Sequence, residues 1–237
     1  MGSLASVAEI EAALAAVGDP VRADHERRYL KSTREHYGTG MPAVHRIAKG
    51  VGRLDHAALV DLVEALWAHP AFECSAVAVD LLVHHVRTLG PTDLPLIERM
   101  IRTAGTWALV DGLAGNVVGP IADTHAETAT VLDRWAGDDD FWVRRSALLA
   151  HLVPLRRGGG DFARFVRYAD AMLDEREFFI RKAIGWVLRD AARNRPEMVF
   201  DWLLPRAARA SGVTIREAVK HLTEDQRAAV LAAHRGS

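Results

Sequence analysis

Two groups of side chains in this sequence have the types and spacing to do chemistry. Trp107 and Asp111 stand four residues apart in the string Thr106-Trp107-Ala108-Leu109-Val110-Asp111. On a helix that spacing brings the indole and the carboxylate onto one face. An aromatic face holds a cationic group and a carboxylate stabilises positive charge as it develops, so the pair suits a reaction that builds a cation. A buried carboxylate is costly without a hydrogen bond, a cation or a wet cleft. The competing roles are structural: a turn cap near Gly112 or a pair with Arg145 for the acid, and core packing for the indole.

The second group is Lys182, Trp186, Arg189 and Arg193, separated by four, three and four residues. On a helix these form one stripe with cationic ends around an aromatic surface, a pattern suited to phosphate. The alternative is a solvated basic face with Trp186 packed into its neighbour. Arg144 and Arg145 add cations, although consecutive residues on a helix point about 100° apart and need not share a ligand. Between Arg181 and Arg195 only Asp190 opposes the basic residues, whereas Asp138, Asp139 and Asp140 make an acidic loop. The chain as a whole has 30 basic and 31 acidic residues, a formal charge of -1, so any affinity for nucleic acid has to come from local convergence of cations.

Other chemistries find little support. Cys74 is the only cysteine, which rules out an intrachain disulfide framework and a cysteine-rich metal site. The 11 histidines, His45, His84 and His85 among them, show no zinc-ligand spacing. Gly158-Gly159-Gly160 lacks the strand, lysine and hydroxyl of a phosphate-cradling loop and is expected to be a flexible connection. No run of about 20 apolar residues occurs, and no secretion signal is evident, so a cytoplasmic location without membrane association is expected. Met1-Gly2-Ser3 and Gly236-Ser237 are expected to be fraying or cloning-derived ends.

The elements that must position these groups are helices. Apolar periodicity predicts them at about 5–17, 21–35, 42–49, 55–68, 73–88, 91–103, 107–116, 119–134, 141–153, 161–173, 177–193, 196–208, 213–221 and 224–234. Proline or glycine marks several starts, at Gly90-Pro91, Pro120 and Pro196. Phe72, Trp107 and Trp142 recur every 35 residues, with Phe179 another 37 onward, each opening a helix. The register continues in Val143-Arg144-Arg145-Ser146-Ala147, Ile180-Arg181-Lys182-Ala183-Ile184 and Ile215-Arg216-Glu217-Ala218-Val219. A two-helix repeat of this length predicts an all-α, HEAT-like helical-repeat solenoid of either hand, forming one domain over 1–237 with a concave ligand-binding face. The repeat puts Ala76, Ser146 and Ala183 four residues after three of the aromatics and Asp111 after Trp107, whereas Glu217 interrupts the basic register at its end.

From Tyr29-Leu30-Lys31 to Arg216-Glu217-Ala218-Val219-Lys220-His221 the chain resembles the bacterial HEAT-like DNA alkylation repair glycosylases, the AlkD family. Trp107-Ala108-Leu109-Val110-Asp111 is similar to that family's catalytic tryptophan and aspartate segment. Phe141-Trp142-Val143-Arg144-Arg145 resembles its cleft arginine segment, with Arg145 the best match. Phe178-Phe179-Ile180-Arg181-Lys182-Ala183-Ile184-Gly185-Trp186-Val187-Leu188-Arg189 is the most distinctive match, with Trp186 in the place of a second cleft aromatic. Where relatives carry a second tryptophan before the catalytic one, this chain has Thr106.

The resemblance implies excision of cationic N3- or N7-alkylated purines from duplex DNA, bulky adducts included in some relatives, without a metal or organic cofactor. It implies catalytic roles for Asp111 and Trp107, and DNA or cleft contacts for Arg145, Lys182, Trp186 and Arg189. Trp107, Asp111, Arg145 and Trp186 are then expected to border one open cleft. Alkylated duplex DNA is the expected partner, no obligate protein partner is indicated, and the protein is expected to work on bacterial chromosomal DNA. The rival readings are a noncatalytic HEAT-like DNA-binding or protein-interaction scaffold, because helical repeats commonly host binding, and a different helical hydrolase using Asp111.

Overall fold

Helices in this protein start where the sequence offers a side-chain oxygen to the first unpaired amides. Ser6 and Glu9 form a reciprocal capping box, as do Thr223 and Gln226, while Asp19, Asp55, Asp140, Asp161 and Ser211 each accept a first-turn N–H. A computed structural model describes residues 6–236; the expected helix start at residue 5 and the outermost terminal residues lie outside it. The chain forms two compact units, divided after Leu113.

The N-terminal unit contains α1 (Val7–Ala15), α2 (Pro20–Leu30), α3 (Met41–Val51), α4 (His56–Ala68), α5 (Phe72–His84), α6 (Leu94–Thr103) and α7 (Trp107–Leu113). Its centre is α5, buried from Phe72 through Val79, with α3, α4 and α7 packed against it. A Cβ on Gly112 would come within 2.8 Å of Val79 Cγ1, so the glycine is what lets α7 approach α5 so closely. The C-terminal unit opens with a π-helical turn over 114–118. It continues through α8 (Gly119–Thr124), α9 (Thr128–Trp135), α10 (Phe141–Leu149), α11 (Leu152–Arg156), α12 (Phe162–Ala171), α13 (Phe178–Ala192), α14 (Pro196–Leu203), α15 (Gly212–Ala218) and α16 (Glu224–Arg235). Here α13 is central: Ile180, Ala183, Ile184, Val187, Leu188 and Ala191 are buried at helical spacing, against α10, α11 and α15. Truncating Leu188 to alanine is expected to cost about 2–5 kcal/mol.

The all-α, HEAT-like repeat is visible in the polar contacts as well as in the helix order. Arg99 bonds Glu64 at 2.6 Å, Tyr168 bonds Asp133 at 2.6 Å and Arg209 bonds Asp174 at 2.5 Å, each pair 35 residues apart. Trp67 bonds Thr103 at 2.9 Å and Arg206 bonds Asp170 at 3.0 Å, each 36 apart. Within each unit, side chains are thus latched to one another at the interval read in the sequence. Exposed pairs of this kind contribute about 0–1 kcal/mol each, so they fix register more than they stabilise.

Several expected helices are shorter or broken. The second ends at Leu30, where Lys31 adopts a left-handed φ of 50°. The helix expected over 107–116 gives way to the π-helical turn after Leu113. The span 119–134 breaks at 125–127: the Thr124 hydroxyl bonds the Pro120 and Ile121 carbonyls, and His125 leaves the helical region. The span 141–153 breaks at Ala150 and His151 because Pro154 has no N–H to return to the Ala150 carbonyl. The one β-like contact among the described residues is an isolated bridge between Glu35 and Ala71, where the extended 31–40 segment meets the turn before α5.

Candidate functional site

In α7, Leu109, Val110 and Leu113 are buried, which leaves Trp107, Ala108, Asp111 and Gly112 as a half-buried stripe. The indole and the carboxylate therefore share one face, one turn apart, as their spacing predicts. Tyr29 of α2 meets the Trp107 ring edge-on, with centroids 5.8 Å apart and an interplanar angle of 86°. Tyr29 is itself 66% exposed and stacks on His25, so the wall beside Trp107 is built by a residue the sequence reading did not single out. Its sequence signals were its place at the start of the resembled span and the four-residue step from His25.

The C-terminal unit holds the remaining candidates on α10 and α13. Arg145 is 1% exposed; its guanidinium donates to the Phe179 carbonyl and lies 5.7 Å from the centre of the Phe179 ring. Arg144 is half-buried and makes two bonds to Glu175, at 3.0 and 2.9 Å, besides donating to the Asp138 and Asp139 carbonyls. Lys182 is exposed, with its ammonium 5.8 Å from the Phe178 ring centre. Trp186 is half-buried under the Arg189 guanidinium, 5.9 Å away, and its indole nitrogen is shut off from solvent without a hydrogen-bond acceptor. Arg189 donates to Glu217 and, at 3.3 Å, to Asp190.

The stripe therefore has an internal purpose. Asp190 is only 2% exposed, and Arg156 at 2.5 Å, Arg189 at 3.3 Å and Arg193 at 3.8 Å surround it. A buried carboxylate needs such compensation. Glu217 takes a second share of the cations, bonding Lys220 at 2.9 Å as well as Arg189. Burial pushes its carboxyl up, but the Lys220 hydrogen bond and the charges of Arg189, Lys220 and Lys182 outweigh that, and its pKa lies below the ordinary value. Of the three cations expected to meet phosphate, Lys182 alone is exposed; Arg145 is enclosed and Arg189 is bonded to acids.

An aromatic cluster accompanies Lys182. Trp142 lies 4.9 Å from Phe179, Phe141 lies 4.4 Å from Trp142, and Phe178, 50% exposed, lies 5.5 Å from Phe179. Phe141-Trp142 and Phe178-Phe179 recur 37 residues apart, a signal that marked helix starts but not a shared surface.

The profile of the family described as DNA alkylation repair enzyme matches residues 10–222, a span that contains every residue named above as a site candidate. The chain belongs to the DNA alkylation repair enzyme family. A structure described as a predicted DNA alkylation repair enzyme from Enterococcus faecalis matches with a TM-score of 0.78 at 22% identity, over 87% of this chain and 97% of that one. Two structures from Streptococcus mutans, AlkD2 and smu.31, each match with a TM-score of 0.61, at 16% and 14% identity. Both matches cover 85% of this chain, with 99% of AlkD2 and 100% of smu.31. At these identities the likeness shows the fold. No curated protein matches by sequence. As a member of the DNA alkylation repair family the protein is assigned to repair of alkylated DNA, and among its described residues no helix is long and apolar enough to cross a membrane.

Proposed function

We propose that this family member is a monofunctional DNA glycosylase that removes cationic N3- or N7-alkylated purines from duplex DNA. The observation that carries the reading is the half-buried stripe of α7, where Trp107 and Asp111 stand one turn apart beside the exposed Tyr29. Alkylation at N3 or N7 leaves the purine positively charged and a good leaving group, so a strong general acid is unnecessary. The C1′–N bond breaks, its electron pair leaves with the purine, and the positive charge passes to the sugar. Asp111 stabilises that cation and orients a water, which adds at C1′ and loses a proton to give the abasic strand. Trp107 forms a wall against the sugar or the cationic nucleotide.

Lys182 is the direct phosphate contact, supported by the exposed aromatic Phe178 beneath it. Arg145 and Arg189 act at one remove, Arg145 by holding Phe179 and Arg189 by covering Trp186. Phosphate contacts of this kind set register and affinity and leave the chemistry to the carboxylate. Removal of bulky adducts is part of the proposal, since some members of the resembled family accept them.

The test is release of free base, with matching abasic strand, from duplexes carrying one defined N7-alkylguanine or N3-alkyladenine, corrected for spontaneous depurination. The proposal expects both products in equal amounts. Binding to the duplex with neither product, on small and bulky adducts alike, would leave the noncatalytic scaffold as the correct reading.

A further inference from the structure

We propose that Glu26, His36 and Glu73 bind a divalent transition-metal ion. They come from α2, the extended 31–40 segment and α5, and one ligand atom from each lies within 4.8 Å of the others. Among the described residues this is the one group of three such side chains placed to hold an ion. It lies outside the stripe on α7 and takes no part in base excision.

Each member has an electrostatic need that a cation meets. Glu73 is 1% exposed, and its carboxylate accepts the backbone amides of Tyr37 at 3.1 Å, Gly38 at 2.8 Å and Thr39 at 3.2 Å. Three of these four contacts fall on Oε1; Oε2 receives only a second, longer contact of 3.2 Å from Tyr37 and has lone-pair capacity to spare. No basic side chain forms an ion pair with Glu73 among the described residues. Glu26 is half-buried, and among the described residues the one basic side chain in an ion pair with it, Arg22, stands 3.9 Å away.

The imidazole gives the independent sign. His36 stacks on Phe72 with centroids 4.8 Å apart, and both its ring nitrogens are closed to solvent without a hydrogen-bond partner. Buried polar atoms of this kind are rare and usually mark an ion or a water. A water would satisfy a nitrogen but leave two carboxylates facing each other. A cation satisfies both. A neutral imidazole offers a ring nitrogen lone pair to a metal.

One imidazole and two carboxylates make a donor set suited to Zn²⁺, with bonds of about 2.0–2.2 Å. Such bonds put ligand atoms about 3.3 Å apart in a tetrahedron, so closure needs shifts of at most ~1.5 Å, within reach of the Glu26 side chain. The ion would tie α2, which carries Tyr29, to the 31–40 segment and to α5. It would then stabilise the fold, because it binds the native chain and not the unfolded one.

The test is calorimetric titration of the untagged, metal-stripped full chain with Zn²⁺, together with thermal melts. The proposal expects one equivalent bound and a melting temperature that rises with Zn²⁺. Glu26→Gln and His36→Gln should each weaken binding by roughly 100-fold, at the upper end of what altering a metal's surroundings does. His45→Ala, which removes an exposed histidine paired with Asp80, should bind like the parent. A parent that takes up no ion overturns the proposal. So does undiminished binding in both Glu26→Gln and His36→Gln, which would place the ion elsewhere. Should His36→Gln fail to fold, Glu26→Gln decides alone. The readout is independent of base release, so the glycosylase reading stands or falls separately.

Discussion

Helices α7 and α13 both carry a tryptophan and charged residues at helical spacing, yet they use them in opposite ways. On α7 the carboxylate and the indole lie on a half-buried stripe, and the nearest aromatic neighbour, Tyr29, is exposed. On and just after α13 most of the charge is engaged with other protein groups. Arg189 and Arg193, with Arg156, surround the buried Asp190, Glu217 takes another contact from Arg189, and Lys182 remains open. Charge at the right spacing is thus weak information about function until its counter-charges are known. An acid on a half-buried stripe and bases around a buried acid look alike in a sequence.

The largest effect is expected at Asp111. Asp111→Asn preserves shape and should leave folding and most duplex affinity intact, while single-turnover excision falls by roughly 10²–10³-fold, the scale of losing a preorganised electrostatic group. Trp107→Ala should slow excision by about 10–100-fold, more than it weakens binding, because the sugar loses its wall. A large fall in melting temperature for that variant would return Trp107 to the core. Arg145→Met should act on the fold instead: losing the charged hydrogen bond to Phe179 should cost about 1.5–3 kcal/mol in a denaturant melt. A variant as stable as the parent with impaired binding would make Arg145 a direct DNA contact.

Smaller effects sharpen the α13 side. Lys182→Gln should weaken binding to damaged and undamaged duplex alike, by up to about tenfold, and reduce the slope of log affinity against log salt by about 1. A loss confined to one lesion would contradict a phosphate role. The smallest effect concerns Glu217, whose carboxyl pKa lies below its ordinary value of 4.5 in the folded chain. Its contribution is therefore present above the unfolded pKa and disappears as pH falls through the folded one. Glu217→Gln should flatten that part of the acid limb of stability against pH and leave stability at neutral pH lower.

Much of the fold was legible because burial imposes a period. The recurrence of Phe72, Trp107 and Trp142 anticipated hairpins that the structure latches at the same interval, as in Asp133 to Tyr168. The breaks were less legible for local reasons. Pro154 sits in an apolar run that continues the helical period, and its effect falls four residues upstream at Ala150; Lys31 ends α2 in a conformation a lysine seldom adopts. The Trp107 and Asp111 face was readable from spacing alone. The enclosure of Arg145 was not, because its bond to the Phe179 carbonyl joins it to another repeat. Glu26, His36 and Glu73 were invisible for the same reason: no spacing rule joins residues that only the turn at 37–39 brings to one point.

The most direct measurement is made on one duplex with a single N7-alkylguanine, taking the rate of base release at saturating enzyme and the dissociation constant for parent, Asp111→Asn and Lys182→Gln. Asp111→Asn should lose the rate while largely keeping the affinity, and Lys182→Gln should lose affinity while largely keeping the rate of bound DNA. An Asp111→Asn protein that releases base as fast as the parent would contradict the claim that the carboxylate on α7 carries the chemistry.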